Sequence, residues 1–204
     1  NPAARAWWQE QLGSYTDLGI EGFKLDFAED VLPAPGDGRF GWRFHDGSDG
    51  LVMHHRYPGL YHSTYAERLP ETGGFLLCRA ARWGGQVHAS VIWPGDLNAS
   101  FAEHREPLDG GGLAVGGLPA AVSAAVGLGP SGFPLFGSDT GGYRGSPPDE
   151  ETYIRWFQHT AFSAVMQVGD SSSQPPWVYT PENGRSDRTL DLYRAYARLH
   201  LRLF

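Results

Sequence analysis

Apolar and polar positions follow two rhythms along this chain, and helix-like stretches alternate with strand-like ones from end to end. A helical period covers 3–18, with Trp7, Trp8, Leu12 and Tyr15 on one side. Gly19 supplies its stop before the strand candidate 20–27. A second helix is expected over about 50–69, with Pro58 kinking or interrupting it. Strands follow at 74–79 and 87–93, then an Ala/Val-rich helix near 119–128 that Gly129-Pro130 ends. Two more short strands, 133–136 and 164–168, are separated by an amphipathic helix over 149–162. The closing helix, 187–203, carries Leu190, Tyr193, Ala197 and Leu201 on its buried stripe.

This alternation argues for an α/β protein with a largely parallel sheet. All five expected strands end in polar or charged residues, at the end where a (β/α)8 TIM barrel builds its active site. Because a full barrel usually needs about 250 residues, residues 1–204 read as one segment of a partial TIM barrel, approximately strands four to eight with their helices. Strands one to three would come from the remainder of the parent chain. The interval 79–87 has room only for a loop, and 33–49, rich in Gly, Asp and Pro, reads as a long βα loop over the active-site face.

Composition narrows the function classes. A 41% hydrophobic and 19% charged content is that of a folded globular chain. The net charge of -7, with both signs interspersed, offers neither a basic stripe for nucleic acid nor a polybasic membrane segment. No apolar run approaches the roughly 18 residues of a membrane-spanning helix. The single cysteine, Cys78, lies in Gly74-Phe75-Leu76-Leu77-Cys78; it forms no internal disulfide and reads as a buried structural thiol. The chain opens at Asn1 without an initiator Met and reads as an excised segment, inactive or poorly folded alone because its sheet edges would be open.

Two strand ends carry candidate chemistry. Gly22-Phe23-Lys24-Leu25-Asp26-Phe27 is an apolar strand closing on a carboxylate, with Glu29 and Asp30 just beyond. Its structural alternative is a Lys24–Asp26 ion pair. Val91-Ile92-Trp93-Pro94-Gly95-Asp96 ends in an aromatic residue, a tight turn and a second carboxylate. Hydrolysis of a glycosidic bond needs two such carboxyl groups: one attacks the anomeric carbon, the other protonates the leaving oxygen and then activates water. Trp83 and Trp93 fit stacking on pyranose faces and equally fit packing. Other chemistries find less support. His54, His55 and His62 lack the i, i+4 spacing that grips a metal, so no metal or cofactor is expected. Gly36-Asp37-Gly38 and Gly110-Gly111-Gly112 lack the remainder of a phosphate loop, and Ser131 lacks a nucleophile elbow.

Taken together and in order, these motifs resemble glycoside hydrolase family 31, the retaining α-glycosidases that include α-glucosidases, α-xylosidases and sulfoquinovosidases. Asp26 and Glu29 match the nucleophile strand, and Trp93 to Asp96 the acid/base motif. Arg79, Gly84, Gly85 and Gln86 match the arginine and glycine-containing loop between them. Gly132 to Tyr143 resembles the strand-seven signature. The helix leading to strand eight is resembled by Arg155-Trp156-Phe157-Gln158 and Ala161-Phe162. The resemblance implies Asp26 as nucleophile and Asp96 as general acid/base. It further implies Lys24, Arg79, Trp93, Asp139 and Tyr143 at the sugar, with Glu29 and Gln86 supporting. Two positions depart from the pattern: Met166-Gln167-Val168-Gly169-Asp170 stands where a sugar-binding histidine is common, and Lys24 stands where tryptophan is common. The implied partner is a carbohydrate. Alternatives are a non-catalytic carbohydrate-binding relative, an α-galactosidase-type hydrolase, and a transglycosylase using the same two aspartates.

Overall fold

The computed structural model describes residues 1–31, 42–145, 147–168 and 175–204. The chain divides into two compact units, Asn1–Ile92 and Trp93–Phe204.

The first unit is built on a parallel three-stranded sheet, ordered β1 (Gly22–Leu25), β2 (Phe75–Cys78) and β3 (Val91–Ile92). Helix α1 (Pro2–Thr16) precedes β1, and α2 (Gly50–Ala66) is the crossover to β2. Asn1 caps α1 by accepting from Ala3 N–H at 3.0 Å, and Asp49 caps α2 by accepting from Val52 N–H at 3.0 Å. The second helix runs through Pro58 uninterrupted. Arg5 and Gln9 of α1 reach Ser63 and Thr64 of α2, at 3.1 Å each.

The core of this unit holds Leu25, Leu76, Cys78, Met53 and Tyr65, all buried. Phe23 meets Tyr65 edge-on at 5.3 Å, so β1 turns Phe23 and Leu25 toward α2. Strand periodicity then puts Lys24 and Asp26 on the opposite side. Burial pushes the Cys78 thiol up to about 12, which fits an unreactive structural cysteine.

Several expectations change in scale. The strand expected over 87–93 shrinks to two residues. Gly84, at φ 87°, turns the chain into a single 3-10 turn over Gly85–Val87. Trp7, Trp8 and Tyr15 are exposed, and Leu12 and Gly13 alone are buried on α1. The expected long loop 33–49 lies outside the described residues up to position 41. Its end forms a small turn in which Arg43 bridges Asp49.

The second unit is helical. It contains α3 (Leu118–Leu128), α4 (Glu150–Thr160) and α5 (Asp187–Leu203). Asp149 caps α4 through Thr152 N–H at 2.7 Å, with Glu150 and Glu151 in the first turn, where helix dipole and cap agree. Helices α4 and α5 share an aromatic core. Tyr153 stacks on Tyr179 at 4.5 Å and on Tyr193 at 6.0 Å, and Phe157 meets Tyr193 edge-on at 5.3 Å. Leu201, expected on the buried stripe of α5, is exposed.

In place of the strands expected at 133–136 and 164–168 there is isolated bridging, at Phe136 and, just beyond, in a parallel bridge from Asp139 to Gln167. Pro134 removes a ladder donor. At Gly137 the two segments approach so closely that an added Cβ would lie 2.6 Å from Val165 Cβ. Where five strands were expected, the described residues form three strands, and isolated bridges, Asp139 to Gln167 among them, take the place of the last two.

Candidate active site

In the first unit the structure gathers Asp26, Glu29 and Arg79. The register pairs Lys24 with Leu77 and Leu25 with Cys78, so Asp26 and Arg79 follow side by side at the C-terminal ends of β1 and β2. Arg79 Nη1 donates to Asp26 Oδ1 at 3.0 Å, and its Nε lies 2.8 Å from Glu29 Oε1. One planar guanidinium thus holds both carboxylates. Asp26 keeps 47% of its side-chain surface exposed while Arg79 keeps 18%, so the carboxylate remains approachable and its cation does not.

The backbone just after Asp26 is unusual. Phe27 and Ala28 adopt φ values of 61° and 77°, the left-handed region that costs a non-glycine residue about 1–2 kcal/mol. This turn directs Phe27 N–H onto Asp26 Oδ1 at 2.8 Å and sets the Phe27 ring 4.9 Å from the guanidinium carbon of Arg79. It also brings Glu29 back to Arg79. Strain at this point is spent on fixing one carboxylate.

A further link steadies the same segment. Arg82 Nη2 lies 2.8 Å from His54 Nε2, and His54 Nδ1 lies 2.7 Å from Val31 O. A guanidinium only donates. Nε2 is therefore the acceptor, and Nδ1–H donates to the Val31 carbonyl, tying the segment after Asp26 to α2. Lys24 is exposed, Gln86 lies half-buried in the 3-10 turn, and Trp83 is 93% exposed, outside any packed core.

In the second unit Trp93 and Asp139 are brought together. Both are buried, and Trp93 Nε1–H donates to Asp139 Oδ2 at 2.9 Å. Burying a carboxylate requires such donors. Asp96 sits at the centre of a three-residue turn closed by Leu97 N–H to Gly95 O at 3.0 Å, with Gly95 at φ 81°.

The segment beyond Asp96 is clamped by the glycine loop. Tyr143 and Arg144 N–H both donate to Leu97 O, at 2.8 and 2.9 Å, and Ala99 N–H returns to Arg144 O at 2.8 Å. Asn98 Oδ1 accepts from Val115 N–H at 2.9 Å. Arg144 Nη2 lies 4.0 Å from Asp96 Oδ2, a neighbour that sequence reasoning missed because a loop contact leaves no periodic signal. Tyr143 is partly exposed on that loop. Among the described residues no group of three or more His, Cys, Asp or Glu side chains converges as a metal site.

Comparisons with known proteins agree on one family. All of residues 1–204 match the model described as the glycosyl hydrolases family 31 TIM-barrel domain. The chain is 34% identical over 184 residues to an alpha-xylosidase of Emericella nidulans, covering 88% of this chain and 21% of that protein. It is 31% identical over 180 residues to a sulfoquinovosidase of Escherichia coli, covering 84% of this chain and 24% of that one. A cycloalternan-degrading enzyme from Trueperella pyogenes, solved in complex with cycloalternan, superimposes with a TM-score of 0.77 at 26% identity. That match covers 100% of this chain and 26% of the solved one. The chain thus spans about a quarter of the length of such relatives.

Proposed function

The chain belongs to glycoside hydrolase family 31, and on that premise we propose that it is the C-terminal half of a retaining exo-α-glycosidase barrel. It supplies strands four to eight with their helices, and the parent chain supplies strands one to three. Asp26 attacks the anomeric carbon of a terminal α-glycoside as Asp96 protonates the departing oxygen, leaving a glycosyl-aspartate ester. Asp96 then takes a proton from water, whose oxygen attacks the same carbon and frees Asp26. The two inversions give net retention. Arg79 and Asp139 hold sugar hydroxyls, Trp93, Tyr143 and Lys24 shape the pocket, and Glu29 and Gln86 support it. The names of the relatives point to α-xylosides, sulfoquinovosides and α-linked glucose oligomers as the substrates to try.

The observation that carries this reading is the setting of Asp26. A half-exposed carboxylate at a parallel strand's C-terminal end, gripped on one oxygen by Arg79 and Phe27 N–H, is oriented and still accessible to a substrate it would attack. Asp26→Ala in the full-length protein is expected to lower kcat on 4-nitrophenyl α-xyloside and α-glucoside by about 10³-fold or more, without unfolding it. Turnover at the wild-type rate in that variant would end the nucleophile assignment.

A further inference from the structure

A second link closes around the clamp on Asp26. Arg79 joins the loop after β2 directly to Asp26 and Glu29 of the loop after β1. His54 of α2 joins the same two loops from outside. Its Nδ1–H reaches Val31 O at 2.7 Å, two residues beyond Glu29. Its Nε2 meets Arg82 Nη2 at 2.8 Å, three residues beyond Arg79. One imidazole thus donates to one loop and accepts from the other, and it is carried on a capped helix that belongs to neither. Only the neutral ring with its proton on Nδ1 serves both arms.

What the link holds gives it its importance. Between Asp26 and Val31 the chain passes through left-handed Phe27 and Ala28, a conformation that persists only where the flanking structure over-determines it. Before that turn the chain is fixed by the ladder of β1 on β2. After it the anchors are Glu29 on Arg79 and Val31 on His54, with Ala28 and Val31 both buried.

We propose that His54 is a positioning residue for the nucleophile: by tying Val31 to Arg82 it keeps the two loops at the separation at which Arg79 reaches Asp26 Oδ1 and Glu29 Oε1 together. The proposal rests on the glycosidase reading above. His54 acts through the loops and not on the sugar. With the link cut, the strained turn relaxes and the carboxylate drifts from its line of attack, where a misplacement of about 1 Å costs about 10²-fold.

The test is a double-mutant cycle in the full-length protein, read as kcat/KM on the 4-nitrophenyl α-glycoside it turns over, well below the thermal midpoint of every variant. His54→Leu and Arg82→Met are each expected to lose about 10-fold or more, and the double variant about what the worse single variant loses, because both arms serve one link. Arg82→Lys should recover most of what methionine loses. Arg82 meets the ring through one nitrogen, which an ammonium can replace, whereas Arg79 needs its whole fork. Should His54→Leu fail to fold, His54→Asn takes its place in the cycle. Its amide N–H stands where Nδ1–H does and keeps the bond to Val31, while the acceptor for Arg82 is gone, so it should couple to Arg82→Met in the same way. Wild-type kcat/KM in the single variants, losses that multiply in the double variant, or lysine no better than methionine would overturn the role of His54 alone. Absence of α-glycoside turnover by wild type would remove the glycosidase reading and this proposal together.

Discussion

Replacing Gly142 by alanine probes how the loop that carries Tyr143 and Arg144 positions Asp96. Gly142 has a φ of 85°, and an added Cβ would lie 2.5 Å from Ala99 Cα and 2.7 Å from Ala99 N. A left-handed alanine costs about 1–2 kcal/mol. Overlap with backbone, which has no rotamer to escape into, adds about 1–3 kcal/mol. Together these, about 2–5 kcal/mol, correspond to a thermal midpoint lower by about 4–20 °C at roughly 2–4 °C per kcal/mol for a domain of this size.

The displaced atoms belong to the segment that follows Asp96, which Tyr143 and Arg144 hold through Leu97 O. A shift there moves Asp96, the proposed acid/base. Loss of general-acid help matters little when the leaving group departs unaided and much when it is a sugar alkoxide. Gly142→Ala should therefore reduce kcat/KM on an α-linked disaccharide by about 10²-fold, within the usual range for general acid–base catalysis. On the corresponding α-glycosyl fluoride it should cost far less. Steady-state kinetics on both substrates, alongside a thermal melt, reads this out. A wild-type midpoint, or equal losses on the two substrates, would refute the reasoning.

Two further outcomes follow from the first unit. Arg79→Met should lower kcat/KM by about 10²-fold, comparable to removing one pre-organised donor. Arg79→Lys should not restore it, because a single ammonium lacks the planar fork that reaches Asp26 and Glu29 together; full rescue by lysine, measured on the same aryl glycoside, would count against the clamp. His62 is fully buried, and burial, helped by the charge of His88, lowers it to about 4. The unfolded chain binds this proton near pH 6.5. Stability is therefore complete above about pH 6.5 and falls towards pH 4 by up to about 3 kcal/mol. In urea titrations His62→Leu should flatten that slope, and an unchanged slope would assign it to other groups.

Much of this arrangement was legible in the sequence, and what was not has identifiable causes. Helices α4 and α5 announce themselves by cap and period, with Asp149 and Ser186 at their starts. The family motifs brought Asp26, Glu29, Arg79, Trp93, Asp96 and Asp139 to notice, yet not which of them pair. Lys24 shares a face with Asp26, as its spacing shows, but that Arg79 donates to Asp26 Oδ1 follows from a strand register that sequence does not display. The spacing sets Trp7, Trp8, Leu12 and Tyr15 on one side of α1, of which Leu12 is buried and the other three are exposed, because amphipathic spacing gives a direction and not the neighbour that covers it. Segments 133–136 and 164–168 have strand-like composition, but Pro134 and the close approach at Gly137 leave only isolated bridging there among the described residues. Arg144 and the left-handed pair Phe27-Ala28 left no trace in periodicity, since both arise from how loops close.

The central claim is a covalent bond between the sugar and Asp26. A 5-fluoro-α-glycosyl fluoride of the accepted sugar loads such a site quickly and leaves it slowly, so the ester accumulates. Incubation with the full-length protein, followed by proteolysis and mass spectrometry, should find the fluoroglycosyl mass on the peptide containing Asp26, with the label absent from Asp26→Ala. A label on Asp96 or on no carboxylate at all, from a protein that turns the fluoride over, would contradict the account.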